Sequence, residues 1–316
     1  FLRHLCADWD TIRATFAPES HPGILEGLQG GAGDTHRGGK TVMIARFSSG
    51  LKVVYKPKSM NVARHFQELL DWLNERGDHP PFRTVKIFPC GDYGWVEFVE
   101  AQGCSSTSEV ERFYERQGGY LALLNVLQAN DLHHENLIAA GEHPILIDLE
   151  TLFHPRFGRD QHNAADSLVH QIWAHSVLRI GLLPQRFWAN DEHAGVDISG
   201  LGGSEGQFTP SEVPQWEDVG TDQMQLIRKR IRMEGSQNRP SLDGTAINPL
   251  DYIDAIVTGF TSVYRLLLSH RSALLADDGP NHALRARRGA CHLVSNANLR
   301  KITVRELSSR SPTQRT

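Results

Sequence analysis

A chain of 316 residues with 40% hydrophobic content is long enough for one large two-lobed domain or two ordinary ones. No run of about 18 apolar residues occurs, so no membrane span is expected, and the first residues, Phe1 to Leu5, lack the charge, apolar block and small-residue order of a signal peptide. The four cysteines, Cys6, Cys90, Cys104 and Cys291, are scattered without a CxxC pair, which argues against a disulfide framework or a zinc site and for a reduced, cytoplasmic compartment. The net charge of -4 is uneven: residues 281–316 carry +7, leaving -11 over the remainder. This basic tail holds no Phe, Tyr or Trp, so no nucleic-acid groove is expected, and it reads as a disordered end or as sequence foreign to the fold.

In chain order, Leu2, Leu5, Trp9, Ile12 and Phe16 fall near helical spacing, so residues 1–29 read as a helical N-terminal remnant. Their abrupt start inside structure suggests a missing preceding part. Residues 30–40 form a glycine-rich turn. Two β-like runs, 41–47 and 51–56, follow as a hairpin around Ser48-Ser49-Gly50, with Pro57 ending the second. Residues 60–76 read as an amphipathic helix with Val62, Phe66, Leu69, Leu70 and Leu73 on one side. Short strands are expected at 83–88 and 95–99.

A long helix is expected at 108–129, with Ser108 and Glu111 as a capping box and Gly118-Gly119 marking close helix packing. A loop at 131–136, a strand at 137–139, a turn at Gly141 and an apolar strand Ile145-Leu146-Ile147 follow. Helices are expected at 166–180, 221–233 and 249–275, the last introduced by Asn248-Pro249. Residues 181–245 read as a long insert, in which Ser199-Gly200-Leu201-Gly202-Gly203 looks like a mobile loop, a lid or a peptide clamp.

Phosphoryl transfer needs metal ions on the phosphates, a cation beside them and a group that orients the attacking hydroxyl. Asp131, His133 and Asn136 lie within six residues of one loop. Asp148 follows a short apolar strand and is twelve residues from Asn136, across a small hairpin, so the two can converge on one magnesium ion. Glu150 adds or orients a ligand. Each loop explains the other, whereas either alone is equally a turn or a strand end. Lys56, at the end of the second strand, reaches toward ATP phosphates, and Glu68 on the next helix is its candidate partner, with Glu97 and Glu100 competing. Gly38 and Gly39 belong to a turn whose backbone N–H groups suit phosphate. Asp34 and His36 are odd in a phosphate cradle, because a carboxylate repels phosphate, and they hint at a second task. His134, Glu135 and His154 read as structural.

These stretches resemble the dehydratase domain of class II lanthipeptide synthetases. The matching stretches are Gly33 to Gly39, Val54-Tyr55-Lys56-Pro57, Tyr93 to Phe98, Arg112 to Arg116, Asp131-Leu132-His133-His134-Glu135-Asn136, and Gly141 to Phe153. The loop pair also resembles the lipid-kinase variant of kinase loops. The resemblance implies an α+β, bilobal, kinase-like fold, with a β-rich N-lobe at 30–100 and a mostly helical C-lobe at 101–280. It implies ATP and Mg2+ as cofactors and a ribosomally made precursor peptide with a leader as partner. A Ser or Thr hydroxyl is first phosphorylated; the α-proton and phosphate then leave, giving dehydroalanine or dehydrobutyrine.

Carried over residue by residue, Lys56, Asp131 and His133 serve the transfer, Asn136 and Asp148 hold magnesium, and Asp34 and His36 lie in the active cleft. The family's later Arg and Arg-x-Thr elimination pattern is not found: Arg300, Arg305, Arg310 and Thr313 have other spacings, which puts elimination in doubt. The cyclase zinc ligands are not found either, so no thioether ring is expected from this chain. Two alternatives stay open: a lipid or small-molecule kinase, and an inactive, truncated peptide-binding module.

Overall fold

The computed structural model describes residues 1–31, 40–149, 152, 176–187, 195–209, 211–233 and 235–276. Its centre is an antiparallel sheet in the order β1-β2-β3-β5-β4. The strands are β1 (Leu25–Gly30), β2 (Met43–Phe47), β3 (Lys52–Lys56), β4 (Ile87–Pro89) and β5 (Gly94–Glu97). Side chains alternate across a strand, and here the alternation sorts two environments. Ala45, Phe47, Val53, Tyr55 and Trp95 point to one face, where helix α1 (Leu2–Phe16) lays Leu5 and Ile12 on them. Ile44, Val54 and Val96 point to the other.

Helix α1 is therefore the cover of the sheet. Asp8 ties it down: its carboxylate accepts from the Trp95 indole at 2.8 Å, and His4 stacks on Tyr93 with ring centroids 3.8 Å apart. Burial pushes the neighbouring Cys90 thiol up to about 11, and the Asp8 carboxylate adds to the effect. The three described cysteines, Cys6, Cys90 and Cys104, are free thiols. The helical reading of residues 1–29 holds only to Phe16. Leu25–Gly30 is an edge strand, which pairs with β2 through a register shift between Leu25 and Gly27.

The other half is built on helix packing. Helix α2 (Asn61–Asn74) and the long α3 (Thr107–Val126) share a core that includes Phe66, Leu70, Phe113, Tyr120 and Leu124. Two serines at the start of α3 stand at capping-box spacing from a glutamate, and the cap is Ser106 with Glu109; Ser108, expected to pair with Glu111, is already inside the helix. Ser106 accepts from the Glu109 N–H, and the Glu109 carboxylate accepts from the Ser105 N–H at 2.7 Å. The hydrogen bonds from Ser105 hold the Glu109 carboxyl below its ordinary range.

The helix that follows Asn248-Pro249 starts as a short 3-10 turn, runs as α4 (Ile253–Ser269), breaks at His270 and resumes as α5 (Arg271–Leu275). It meets α3 backbone to backbone. A Cβ on Gly118 would lie 1.9 Å from the Ile256 carbonyl oxygen, and one on Gly259 would lie 1.7 Å from that of Glu115. Only glycine permits that approach, so the glycines inside α3 mark close packing.

Beside α3 lies the hairpin of β6 (Leu137–Ala140) and β7 (His143–Leu146), which turns at Gly141 with φ 62°. Arg112 and Arg116 of α3 both donate to the Glu142 carboxylate at that turn, Arg116 at 3.0 Å. Burial would raise the Glu142 carboxyl, but the two guanidinium groups outweigh it and hold it below its ordinary range.

The described residues of 181–247 include three two-stranded ribbons: β8 (Arg186–Phe187) with β9 (Val196–Asp197), β10 (Val213–Glu217) with β11 (Gln225–Lys229), and β12 (Ser241–Leu242) with β13 (Thr245–Ala246). The expected helix at 221–233 is not formed, because Gln225–Lys229 pairs with Val213–Glu217, placing Leu226 opposite Trp216. Of the expected 166–180 helix, residues 166–175 lie outside the described residues, and Val177–Ile180 is a 3-10 turn. The basic tail, 281–316, also lies outside them. Among the described residues, no helix is long and apolar enough to cross a membrane. The arrangement is mixed α+β.

Candidate functional site

The second face of the sheet, the α2 face bearing Ala63 and Gln67, and the β6–β7 hairpin enclose a cavity of about 180 Å³. Val42, Ile44, Val54 and Val96 form one wall and Ile138, Leu146 and Ile147 the opposite one. On the sheet wall, strand alternation turns Val42 and Ile44, and Val54 and Lys56, inward, while the adjacent Leu146 and Ile147 line the other wall where β7 ends. Lys56 is the cation of the cavity, 9% exposed at the end of β3. Its ammonium donates to the Ile147 carbonyl, a bond that crosses from the sheet to the residue before Asp148.

Asp148 receives a second lysine. Lys58 Nζ lies 3.1 Å from each of its carboxylate oxygens. Lys56 and Lys58 flank Pro57 and so grip consecutive residues of the opposite segment. Lys58 was missed in the sequence because a surface lysine after a strand carries no signal by itself. The alternation Lys-Pro-Lys was the available clue.

Asn136 is buried, and its carbonyl accepts from the Ile147 N–H at 2.9 Å. This bond extends the β6–β7 ladder by one step. It brings the main chain of Asn136 beside the residue preceding Asp148. Asp131 is exposed in the left-handed region with φ 55°, a conformation that aspartate tolerates better than most residues. His133 caps the turn His134–Asn136, its Nδ1 accepting from the Glu135 N–H at 3.4 Å, and its side chain is 34% exposed. The buried His134 donates from its backbone N–H and its ring Nδ1 to the Ile198 carbonyl, both at 3.1 Å.

Glu68 does not meet Lys56. It pairs on its own helix with Arg64 at 3.0 Å and His65 at 2.7 Å, and its side chain is half exposed. The polar α2 residue that lines the cavity is its neighbour Gln67, whose amide oxygen accepts from the Val85 N–H at 3.0 Å. The competing carboxylates are likewise engaged elsewhere, Glu97 by Arg83 and Glu100 by Lys52. Asp34, His36, Gly38, Gly39 and Glu150 lie outside the described residues.

The 199–203 stretch is neither lid nor clamp. Ser199 and Leu201 are almost fully buried, and Asn238, itself 0% exposed, donates to the Gly200 and Gly202 carbonyls at 2.8 and 2.9 Å. Ser199 bridges to His133, and Leu132 donates to the Ile180 carbonyl at 2.8 Å. A Cβ on Gly203 would lie 2.8 Å from the His134 side chain. The glycines are there because the 131–136 loop rests directly on this segment, which acts as its foundation.

Among the described residues, no group of three or more His, Cys, Asp and Glu side chains is placed to hold a metal. The Asn136 amide and the Asp148 carboxylate are hard oxygen donors, however. Two such oxygens completed by phosphate is the pattern that suits magnesium, which keeps several of its positions for water and substrate.

The chain belongs to the family described as "Domain of unknown function (DUF4135)", whose model matches residues 1–294. It is also similar to the "Lacticin 481/lactococcin biosynthesis protein LcnDR2" of Lactococcus lactis subsp. lactis. The identity is 28% over 255 residues, covering 77% of this chain and 27% of that protein. The chain thus spans about a quarter of that relative's length. Together these matches show the resemblance to the lanthipeptide synthetases that the motifs carry.

Proposed function

We propose that this chain uses ATP and Mg2+ to phosphorylate Ser and Thr hydroxyls of a ribosomally made, leader-bearing precursor peptide, in a kinase-like cleft between the sheet and the helical half. The supporting observation is an apolar cavity lined by Lys56 and Ile147, where Ile147 accepts from the Lys56 ammonium, donates its N–H to the Asn136 carbonyl and directly precedes Asp148. An aromatic base fits between two apolar walls, and its phosphates then point at the lysine and the oxygen ligands. The name of the Lactococcus relative supports the substrate class.

In this reading Lys56 neutralises phosphate charge. Asn136 and Asp148 would hold magnesium, with Glu150 adding or orienting a ligand, and the ion would supply positive charge against that of the transferring phosphoryl group. Asp131 orients the attacking hydroxyl, which suits its exposure, and His133 supports the phosphoryl group. Gly38 and Gly39 would offer backbone N–H groups to the phosphates. Asp34 and His36 serve the second step, in which a base takes the α-proton while phosphate departs. Phosphorylation makes that step feasible, because hydroxide leaves poorly and phosphate leaves well.

The experiment is mass spectrometry of a Ser- and Thr-containing precursor peptide incubated with the protein, ATP and Mg2+. Gain of a phosphate group supports the kinase half, and net loss of water supports both halves. Labelling of a lipid or small molecule, with the peptide untouched, points to the other kinase class. An unchanged peptide with folded protein and no ATP consumption overturns the proposal.

A further inference from the structure

We infer that Lys58 is a tethered counter-ion which occupies the metal position on Asp148 and gives it up when nucleotide and metal arrive together. The inference rests on the reading of Asp148 as a metal ligand. Lys58 Nζ is equidistant, at 3.1 Å, from Oδ1 and Oδ2. An ammonium so placed engages both carboxylate oxygens at once, so a cation binding Asp148 has to compete with it. The contact is partly sheltered, with the Lys58 side chain 18% exposed and that of Asp148 38%. At such exposure the attraction is stronger than between fully solvated charges, and a carboxylate stripped of its cation is unfavourable. Asp148 is thus neutralised in advance, and a divalent ion has to displace a covalently attached rival.

The displaced ammonium has a destination. Lys58 is two residues beyond Lys56 and two before Met60, both of which line the cavity. A triphosphate whose base fills that cavity would present its anionic oxygens within reach of a four-carbon side chain anchored there. One cation then passes from carboxylate to phosphate as the other takes its place. Metal alone binds weakly, and metal with nucleotide binds well. Such an exchange is a thermodynamic coupling between the two ligands and is reciprocal.

The test is Mn2+ binding, read by electron paramagnetic resonance and by water-proton relaxation, with and without a non-hydrolysable ATP analogue. It is run on the full chain and its Lys58→Met, Lys58→Arg and Asp148→Asn variants. Methionine keeps most of the stem without the charge. Lys58→Met is expected to bind Mn2+ alone about ten-fold more tightly than the parent, and the gain in Mn2+ affinity caused by the analogue is expected to shrink by about ten-fold. Lys58→Arg should stay near the parent. If Lys58→Met binds Mn2+ alone no better than the parent, while Asp148→Asn abolishes binding, the counter-ion inference is overturned and the metal reading stands. If Asp148→Asn leaves Mn2+ binding intact, the metal reading itself fails and the inference goes with it.

Discussion

The two faces of the five-stranded sheet have the same strands and opposite fates. Beneath α1, Phe47, Val53, Tyr55 and Trp95 are packed out of solvent. One residue along, Ile44, Val54, Val96 and Lys56 line an open cavity. Both faces are largely apolar, the covered one mostly aromatic (Phe47, Tyr55, Trp95) and the cavity face mostly β-branched (Ile44, Val54, Val96). What separates their fates is the partner. One face has a helix from its own chain to fill it, and the other meets a hairpin at a distance that leaves room. A site is thus recognised less by which residues a strand carries than by which of its faces is left unfilled.

Four substitutions break or sharpen this contrast. Trp95→Ala empties the covered face and removes the donor to Asp8. It is expected to cost about 3–5 kcal/mol in denaturant unfolding, with nucleotide affinity of the remaining folded protein near that of the parent. A parallel fall in that affinity would show that the faces are not independent. Asp148→Asn acts at the other face. Loss of the charge of a metal ligand is expected to lower phosphate transfer by about 100-fold or more with little change in melting temperature, so retention of most activity contradicts the metal assignment.

Val54→Phe fills the cavity from β3, where Val54 pairs with Ile44 and Val96, both lining residues. It is expected to weaken binding of an ATP analogue by about ten-fold in calorimetry, with stability nearly unchanged because the ring enters empty space. Unchanged binding would place the base elsewhere. The smallest effect is expected for Glu142→Gln, which loosens the hairpin that floors the cavity. The folded carboxyl of Glu142 is held below its ordinary value of 4.5. Its contribution to stability is therefore present above that value and lost as pH falls below it. The variant should lose about 1 kcal/mol near neutrality and show a shallower decline of stability on the acid side. An acid limb superimposable on the parent's counts against the role of that ion pair.

Much of this was legible in the residues. The spacing of Leu5 and Ile12, the hairpin around Ser48-Ser49-Gly50 and the paired loops at Asn136 and Asp148 are local patterns, and local patterns survive folding. What escaped depended on distant partners. Leu25–Gly30 has a weak apolar pattern and is a strand only because β2 lies beside it. Gln225–Lys229 is largely exposed, so burial imposes no period there, and its strand form comes from pairing with Val213–Glu217. Glu68, expected as the partner of Lys56, pairs instead with Arg64 and His65, and Gln67 beside it lines the cavity. The amphipathic stripe fixes which side of α2 is buried, but not which buried-side neighbour looks into the cavity.

The foundation under the 131–136 loop has a consequence for the order in which the protein assembles. The hydrogen bonds of α3 and the β6–β7 ladder join residues close in sequence, and local contacts close early. The His134 amide instead waits for the Ile198 carbonyl, 64 residues away, and the Gly200 and Gly202 carbonyls wait for Asn238. Pulse-labelled hydrogen exchange during refolding should therefore find the amides of α3 protected first and that of His134 among the last, after the surrounding helices are formed.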